Sequence, residues 1–255
     1  MTSPLPERQP ADLIQAPGTP ESSWRSWERW PHFPAFPLPD AGRVVVVAAH
    51  PDDEVLGVGG ALCLLVESGV ELTVVTLTDG ERSHPDSRRI TPAELAEVRA
   101  GELRRALAAL GAADARALRL GLPDTAVARH EEELAHRLVP LLRDTALCLA
   151  PWAEDRHGDH EAAGRAAAAA AAVTGTACAY YPVWMWHWAR PGDPRVPWDR
   201  AARIDLPPAA RAAKAAAVRC FTSQIADLGP DPADAAVLPP EELAHHLRDT
   251  ELVLR

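Results

Sequence analysis

The sequence predicts an α/β fold: a Rossmann-like, doubly wound, mostly parallel sheet with helices on both faces, forming a single domain. Two observations lead there. The run Arg43-Val-Val-Val-Val-Ala-Ala49 is uninterrupted and β-branched, as a parallel strand buried on both faces requires. Beyond it, short apolar runs alternate with helical stretches of ten to twenty residues, the pattern of repeated βα units. A 255-residue chain with 47% hydrophobic and 24% charged residues has enough apolar material for a full core.

Taken in order, residues 1–41 form an arm that holds nine of the 25 prolines and three of the eight tryptophans. Proline at this density argues against helix or sheet, so the arm is expected to be extended. Trp24, Trp27 and Trp30 recur every third residue and share one side of a helical turn. The favoured reading packs that side onto the domain; a dimer contact or a lid is the alternative. The domain is expected over 42–226, with a tail over 227–255 packing on it. After the strand at 43–49 comes a helix at 55–68, whose glycines Gly57, Gly59 and Gly60 suit close helix-to-sheet packing. They do not make a dinucleotide fingerprint, since they start seven residues past the strand tip. A strand at Leu72–Leu77 follows. Thr91-Pro92 then opens a helix, as N-cap and N1, that runs to Leu110 before Gly111. Next are a strand at Ala117–Leu120, a helix at Glu131–Arg143, a strand at Ala146–Ala150 and an Ala-rich helix at 161–173. Ala177–Trp184 reads as a strand. Further along, the alternation of Trp184, Trp186 and Trp188 places these three rings on one side and His187 on the other. A last helix covers 208–221, and an irregular tail carries His245 and His246 in a short helix.

Composition excludes several classes. A formal net charge of −10 gives no footprint for nucleic acid. The first thirty residues lack the apolar core of a secretory signal and no 18-residue apolar stretch exists, so a cytoplasmic protein without a membrane partner is expected. Cys63, Cys148, Cys178 and Cys220 lie far apart in apolar runs and read as small buried hydrophobes, not a disulfide framework.

In an open α/β sheet, ligands bind beyond the carboxyl ends of the strands. The first strand ends in His50-Pro51-Asp52-Asp53-Glu54. His50 and Asp53 are three apart across a tight turn and converge on one point, with Asp52 beside it. Acidic residues here also complement a helix N-terminus, but that leaves the imidazole unexplained. The strand at Ala146–Ala150 leads likewise to His157-Gly-Asp159-His160, two histidines bracketing a carboxylate before a helix. Two such clusters on equivalent loops fit a hydrolytic zinc site of two histidines and one carboxylate with an open fourth position.

These residues resemble the LmbE/PIG-L superfamily of zinc-dependent N-deacetylases. The resemblance rests on AAHPDDEVLG at 48–57, TDGE at 78–81, Arg99 with Glu102, LGLPD at 120–124, HGDH at 157–160, and Lys214 with Ser223-Gln224. It implies Zn²⁺ held by His50, Asp53 and His160, with Asp52 as general base. It also implies His157 as the oxyanion-stabilising histidine, acting in its protonated form and oriented by Asp159. Arg99 and Asp124 fall where sugar-deacetylating members hold hydroxyls, and Glu81 falls in a loop lining that pocket. The implied substrate is a small-molecule N-acyl amino sugar or its conjugate. Another small-molecule amide, or a nucleotide without hydrolysis, is the alternative, and a homo-oligomer stays open. The chain departs from the pattern at Gly158, where many members have proline, and at Asp155, where the mycothiol enzyme has an assisting tyrosine. Lys214 and Ser223-Gln224 read as a structural helix and its end, and His84 and His130 as surface histidines.

Overall fold

The computed structural model describes residues 13–14 and 16–255; residues 1–12 and 15 of the expected arm lie outside the described residues. Seven strands form one sheet in the order β3-β2-β1-β4-β5-β7-β6. They are β1 Arg43–Ala48, β2 Glu71–Thr76, β3 Arg116–Arg119, β4 Leu147–Pro151, β5 Cys178–Tyr181, β6 Ala201–Asp205 and β7 Thr250–Leu254. The first five in chain order are parallel, and β7 runs antiparallel to both of its neighbours. From β1 the chain builds outward through β2 and β3, then returns to the other side of β1 with β4. This reversal between β1 and β4 opens a crevice at their carboxyl ends.

Strand β1 shows why its sequence is apolar throughout. Val44 and Val46 enter one core with helices α2 (Asp53–Glu67), α3 (Pro92–Ala109) and α7 (Pro208–Val218). Val45, Val47 and Ala49 enter the opposite core with α4 (Glu131–Leu142) and α5 (Gly158–Thr174). Alanines at 162, 163, 166, 167, 170 and 171 are buried, so the Ala-rich stretch is a closely packed helix. Gly57 has the expected packing role, because a Cβ there would come 2.2 Å from the Tyr181 ring. Thr91 caps α3 in a full capping box with Glu94.

The arm departs from the expected extended chain. Short helix α1 (Glu21–Arg25) begins directly after Pro20, whose extended backbone is suited to a helix entry, and Pro31 sits inside a 3-10 turn at Trp30–His32. Proline limits helix interiors but is tolerated at these starts. The tryptophan side does pack on the domain: Trp24 is buried and its indole N–H donates to the Trp186 carbonyl. Further on, Ala35 bridges Arg203 and covers the outer edge of β6.

The tail is not irregular. Its helix α9 (Pro240–His246) is followed by β7, which inserts between β5 and β6. The segment after β5 corrects the strand reading as well: Met185–Trp188 forms a helical turn, α6, and His187, Trp186 and Trp188 are all buried. A last helical turn, α8 (Thr222–Ile225), follows α7. His84 is buried rather than superficial. No helix among the described residues is long and apolar enough to cross a membrane.

Arm and tail meet at Arg248. Its guanidinium lies 4.2 Å from the Trp186 ring centre and within 6 Å of Trp24 and Trp30, and it donates to Glu21. Burial works to raise the Glu21 carboxyl, but Arg248 and His245 outweigh it and lower it from 4.5 to about 2. A carboxyl depressed on folding stabilises the fold above its unfolded pKa and loses that contribution as pH falls toward the folded value. Glu21→Gln should therefore cost about 1 kcal/mol at pH 7, after discounting for solvent screening. The gap to the unaltered protein, read by urea denaturation, should close as pH falls from 4.5 to about 2.

Candidate functional site

The turn after β1 places His50 at the strand tip and Asp53 in the first turn of α2. The backbone N–H of His50 donates to Asp53 Oδ2 at 2.8 Å, which fixes the carboxylate against the imidazole. Asp53 Oδ2 lies 3.4 Å from His50 Nδ1, and its Oδ1 lies 3.3 Å from His160 Nε2. The two ring nitrogens are themselves 3.3 Å apart. Tetrahedral zinc with bonds of roughly 2.0–2.2 Å sets neighbouring donor atoms about 3.3–3.5 Å apart; the two nitrogens stand at that separation, each met by a different oxygen of Asp53. Two wider donor sets, His50 with His157 and His160, and His50 with Asp124 and Asp159, also lie within 4.8 Å.

The tautomers agree with metal binding. His160 Nδ1 meets the fully buried Asp155 carboxylate at 2.8 Å, so the proton belongs on Nδ1 and the lone pair on Nε2. His50 Nε2 meets Asp124 Oδ1 at 3.2 Å and Asp159 Oδ2 at 3.3 Å, leaving Nδ1 to face His160. Burial opposes a charge on His160, yet Asp53 and Asp155 overcome it and raise its pKa to about 9; against the same opposition, His50 is raised by Asp124, Asp159 and Asp53. The site draws positive charge, from protons or from a metal ion. Sequence reasoning noted Asp155 for a missing hydroxyl and missed its function as the carboxylate behind His160.

The other expected residues divide. Asp52 is buried and accepts a hydrogen bond from Arg99 at 3.0 Å; burial pushes it up to about 6 against the pull of Arg99. Arg99 is thus held beneath Asp52, also donating to the carbonyls of Pro51 and Gly80. Asp124 lies against His50, and its other oxygen accepts from the Arg82 backbone. Glu81 itself accepts from the Asp124 backbone N–H, and its loop neighbours Arg82 and Ser83 line the cavity. Asp159 departs from the expectation. Its carboxylate accepts from the backbone of Thr125 and Val127 and meets His50, not His157. The cause is local: Asp159 lies in the first turn of α5, whereas His157 is its extended N-cap and points elsewhere. Burial, then the His160 and His50 charges, lower His157 to about 3, so it is neutral, with Nδ1 buried and unpartnered.

Above these groups opens a cavity of about 980 Å³. His50, Asp52, Asp53, Asp124, His157 and His160 form its base, and Ser83, Trp184 and Gln224 its sides. Its outer wall comes from residues 14 and 16–18 and from 236–239, Glu241 and Glu242. His187 pins that wall by bonding both the Ala16 carbonyl and Glu242. Neither arm nor tail carries a motif that signals this wall in the sequence. Asp155→Asn replaces an acceptor shared by His160 and three backbone N–H groups. It should weaken binding of Zn²⁺ or Co²⁺ by about 10–100-fold in calorimetric titration.

A family model described as "PIG-L: GlcNAc-PI de-N-acetylase" matches residues 45–171. A 1D-myo-inositol 2-acetamido-2-deoxy-alpha-D-glucopyranoside deacetylase of Salinispora arenicola is 32% identical over 242 residues, covering 74% of this chain and 78% of that protein. A protein of the same description from Kineococcus radiotolerans is 40% identical over 79 residues, covering 30% of this chain and 22% of that one. In such shorter alignments the chain spans about a quarter of the length of the curated relatives it matches. Among solved structures, a conserved protein of Thermus thermophilus is similar with a TM-score of 0.54 and 30% identity, covering 74% of this chain and 82% of that one. With the His/Asp loops at the switch point of the sheet and a relative matched over most of its length, the chain belongs to the PIG-L family.

Proposed function

We propose that this protein is a zinc-dependent hydrolase that removes the acetyl group from an N-acetylated amino sugar conjugate, releasing acetate and a free amine. One observation supports the reading: His50 Nδ1 and His160 Nε2 face each other at 3.3 Å with one oxygen of Asp53 beside each, and Asp52 joins them at the base of a large cavity. The names of the relatives, deacetylases of a glucosaminyl inositol, support the substrate class.

His50, Asp53 and His160 would hold Zn²⁺, which would supply Lewis-acid polarisation of the acyl carbonyl and a water molecule of lowered pKa. The protein's own groups do the rest. Arg99 fixes Asp52 so that one carboxylate oxygen stays directed to the cavity, where it takes a proton from the attacking water. After the C–N bond breaks, Asp52 delivers that proton to the departing amine. His157 lines the same cavity as a neutral imidazole and can donate one N–H to the negative charge that develops on the acyl oxygen. Asp155, Asp124 and Asp159 keep His160 and His50 in their ligating tautomers.

The test is acetate release from an N-acetylglucosaminyl inositol by the zinc-loaded protein. Asp52→Asn should keep stoichiometric zinc and lose about 10²–10⁴-fold in kcat. His160→Ala should lose the metal. Full turnover by zinc-loaded Asp52→Asn overturns the assignment of the base, and absence of metal binding in the unaltered protein overturns the hydrolase reading.

A further inference from the structure

Helix α2 is not continuous. Val58 has φ −138° and ψ 22°, outside helical values, so a first turn carrying Asp53 is separated from the remainder. In an unbroken helix the N–H groups of Gly60 and Ala61 would donate to the carbonyls of Leu56 and Gly57. Here they donate to Glu251 of β7, at 2.7 Å to Oε1 and 2.8 Å to Oε2. The Leu56 carbonyl so released accepts from Lys214 Nζ of α7 at 2.8 Å, and the same ammonium bonds Glu251 Oε1 at 2.7 Å. The carboxylate thus caps the start of the second segment and the ammonium caps the end of the first, each matching the helix dipole it faces. Lys214 and Glu251 are both buried, at 2% and 4% exposure. The approach is close: a Cβ on Gly59 would come 3.2 Å from Val55 Cγ1 and 3.3 Å from Lys214 Cγ.

Apolar side chains of the same volume would leave the N–H groups of Gly60 and Ala61 and the Leu56 carbonyl unpaired, so the pair is tied to the break itself. What the pair does specifically is terminate one helical segment and begin another, one turn after Asp52 and Asp53. Both residues lie outside the 45–171 stretch matched by the family model.

We propose that Lys214 and Glu251 are positioning residues for the metal centre: by holding the break in α2 open, they set the angle of the turn that presents Asp52 and Asp53. The proposal rests on the metal-centre reading above. It predicts an effect on the geometry of a bound ion by residues that never touch it.

Cobalt provides the probe, because its visible absorption bands report ligand geometry. The full-length protein, Lys214→Met and Glu251→Gln are titrated with Co²⁺ alone, and thermal melting is recorded alongside. Leu110→Ala, a core truncation at the far end of α3, is the control for lost stability. Glu251→Gln and Lys214→Met are expected to weaken Co²⁺ binding by about 10-fold, as removal of outer-shell support does. They are also expected to change the band intensities, and to lower kcat with little change in KM. Leu110→Ala is expected to lower Tm and leave the spectrum unchanged. Where Lys214→Met does not fold, Glu251→Gln carries the test, because it keeps its shape and one backbone hydrogen bond. Variants with lowered Tm but an unaltered cobalt affinity and spectrum overturn the proposal while leaving the metal centre standing. A native protein that binds no cobalt overturns both.

Discussion

Five carboxylates, those of Asp52, Asp53, Asp124, Asp155 and Asp159, are buried around two imidazoles, and that concentration of negative charge is the constraint on everything near it. Burying even one carboxylate is costly unless it is paired and hydrogen-bonded. Arg99 answers for Asp52, and backbone N–H groups answer for much of Asp155 and Asp159. Asp53 and the inward nitrogens of His50 and His160 are left facing one another, and only positive charge relieves that contact. A divalent ion between the two facing nitrogens would supply it.

The architecture makes this arrangement possible through its switch point. Strands β1 and β4 are neighbours whose following loops lead to opposite faces of the sheet, α2 to one and α5 to the other. Their loops therefore diverge and leave a crevice between two helix N-termini, where partial positive charge favours carboxylates. His50 with Asp53 comes from one loop and His160 with Asp155 from the other, so neither half of the centre is complete alone. Coupling between them is direct: Asp53 spans both imidazoles, while Asp159 of the second loop reaches His50 of the first.

Much of this was legible in the sequence, and the failures have physical causes. The parallel strands were visible because burial on both faces demands continuous apolar residues, and the His/Asp loops because short spacing in a turn forces convergence. The Trp184–Trp188 stretch misled because alternating tryptophans mimic a strand. The structure instead has Asp155, some thirty residues earlier, accepting the N–H groups of Val183, Trp184 and Met185, a distant carboxylate that starts a helical turn. Strand β6 is hidden because it is short, interrupted by charge and bounded by Pro-rich loops, and β7 because it is short, carries Glu251 and follows almost directly on a helix. The orientation of Asp159 was equally hidden, since spacing along the chain does not say which way a carboxylate in a first helical turn will face.

Arm and tail lie outside the family-matched residues, yet they wall the cavity, cover the edge of β6 and supply Glu251 to α2. They are tied to each other through Glu21, Arg248 and His245, and to the cavity rim through His187 with Glu242 and the Ala16 carbonyl. Changes there reshape the cavity without touching His50, Asp53 or His160, which are fixed from below by β1, β4 and the surrounding carboxylates. The His/Asp cluster and the outer wall of the cavity are thus built by different parts of the chain. Where they meet is α2, whose first turn belongs to the centre and whose break is held by residues from α7 and the tail.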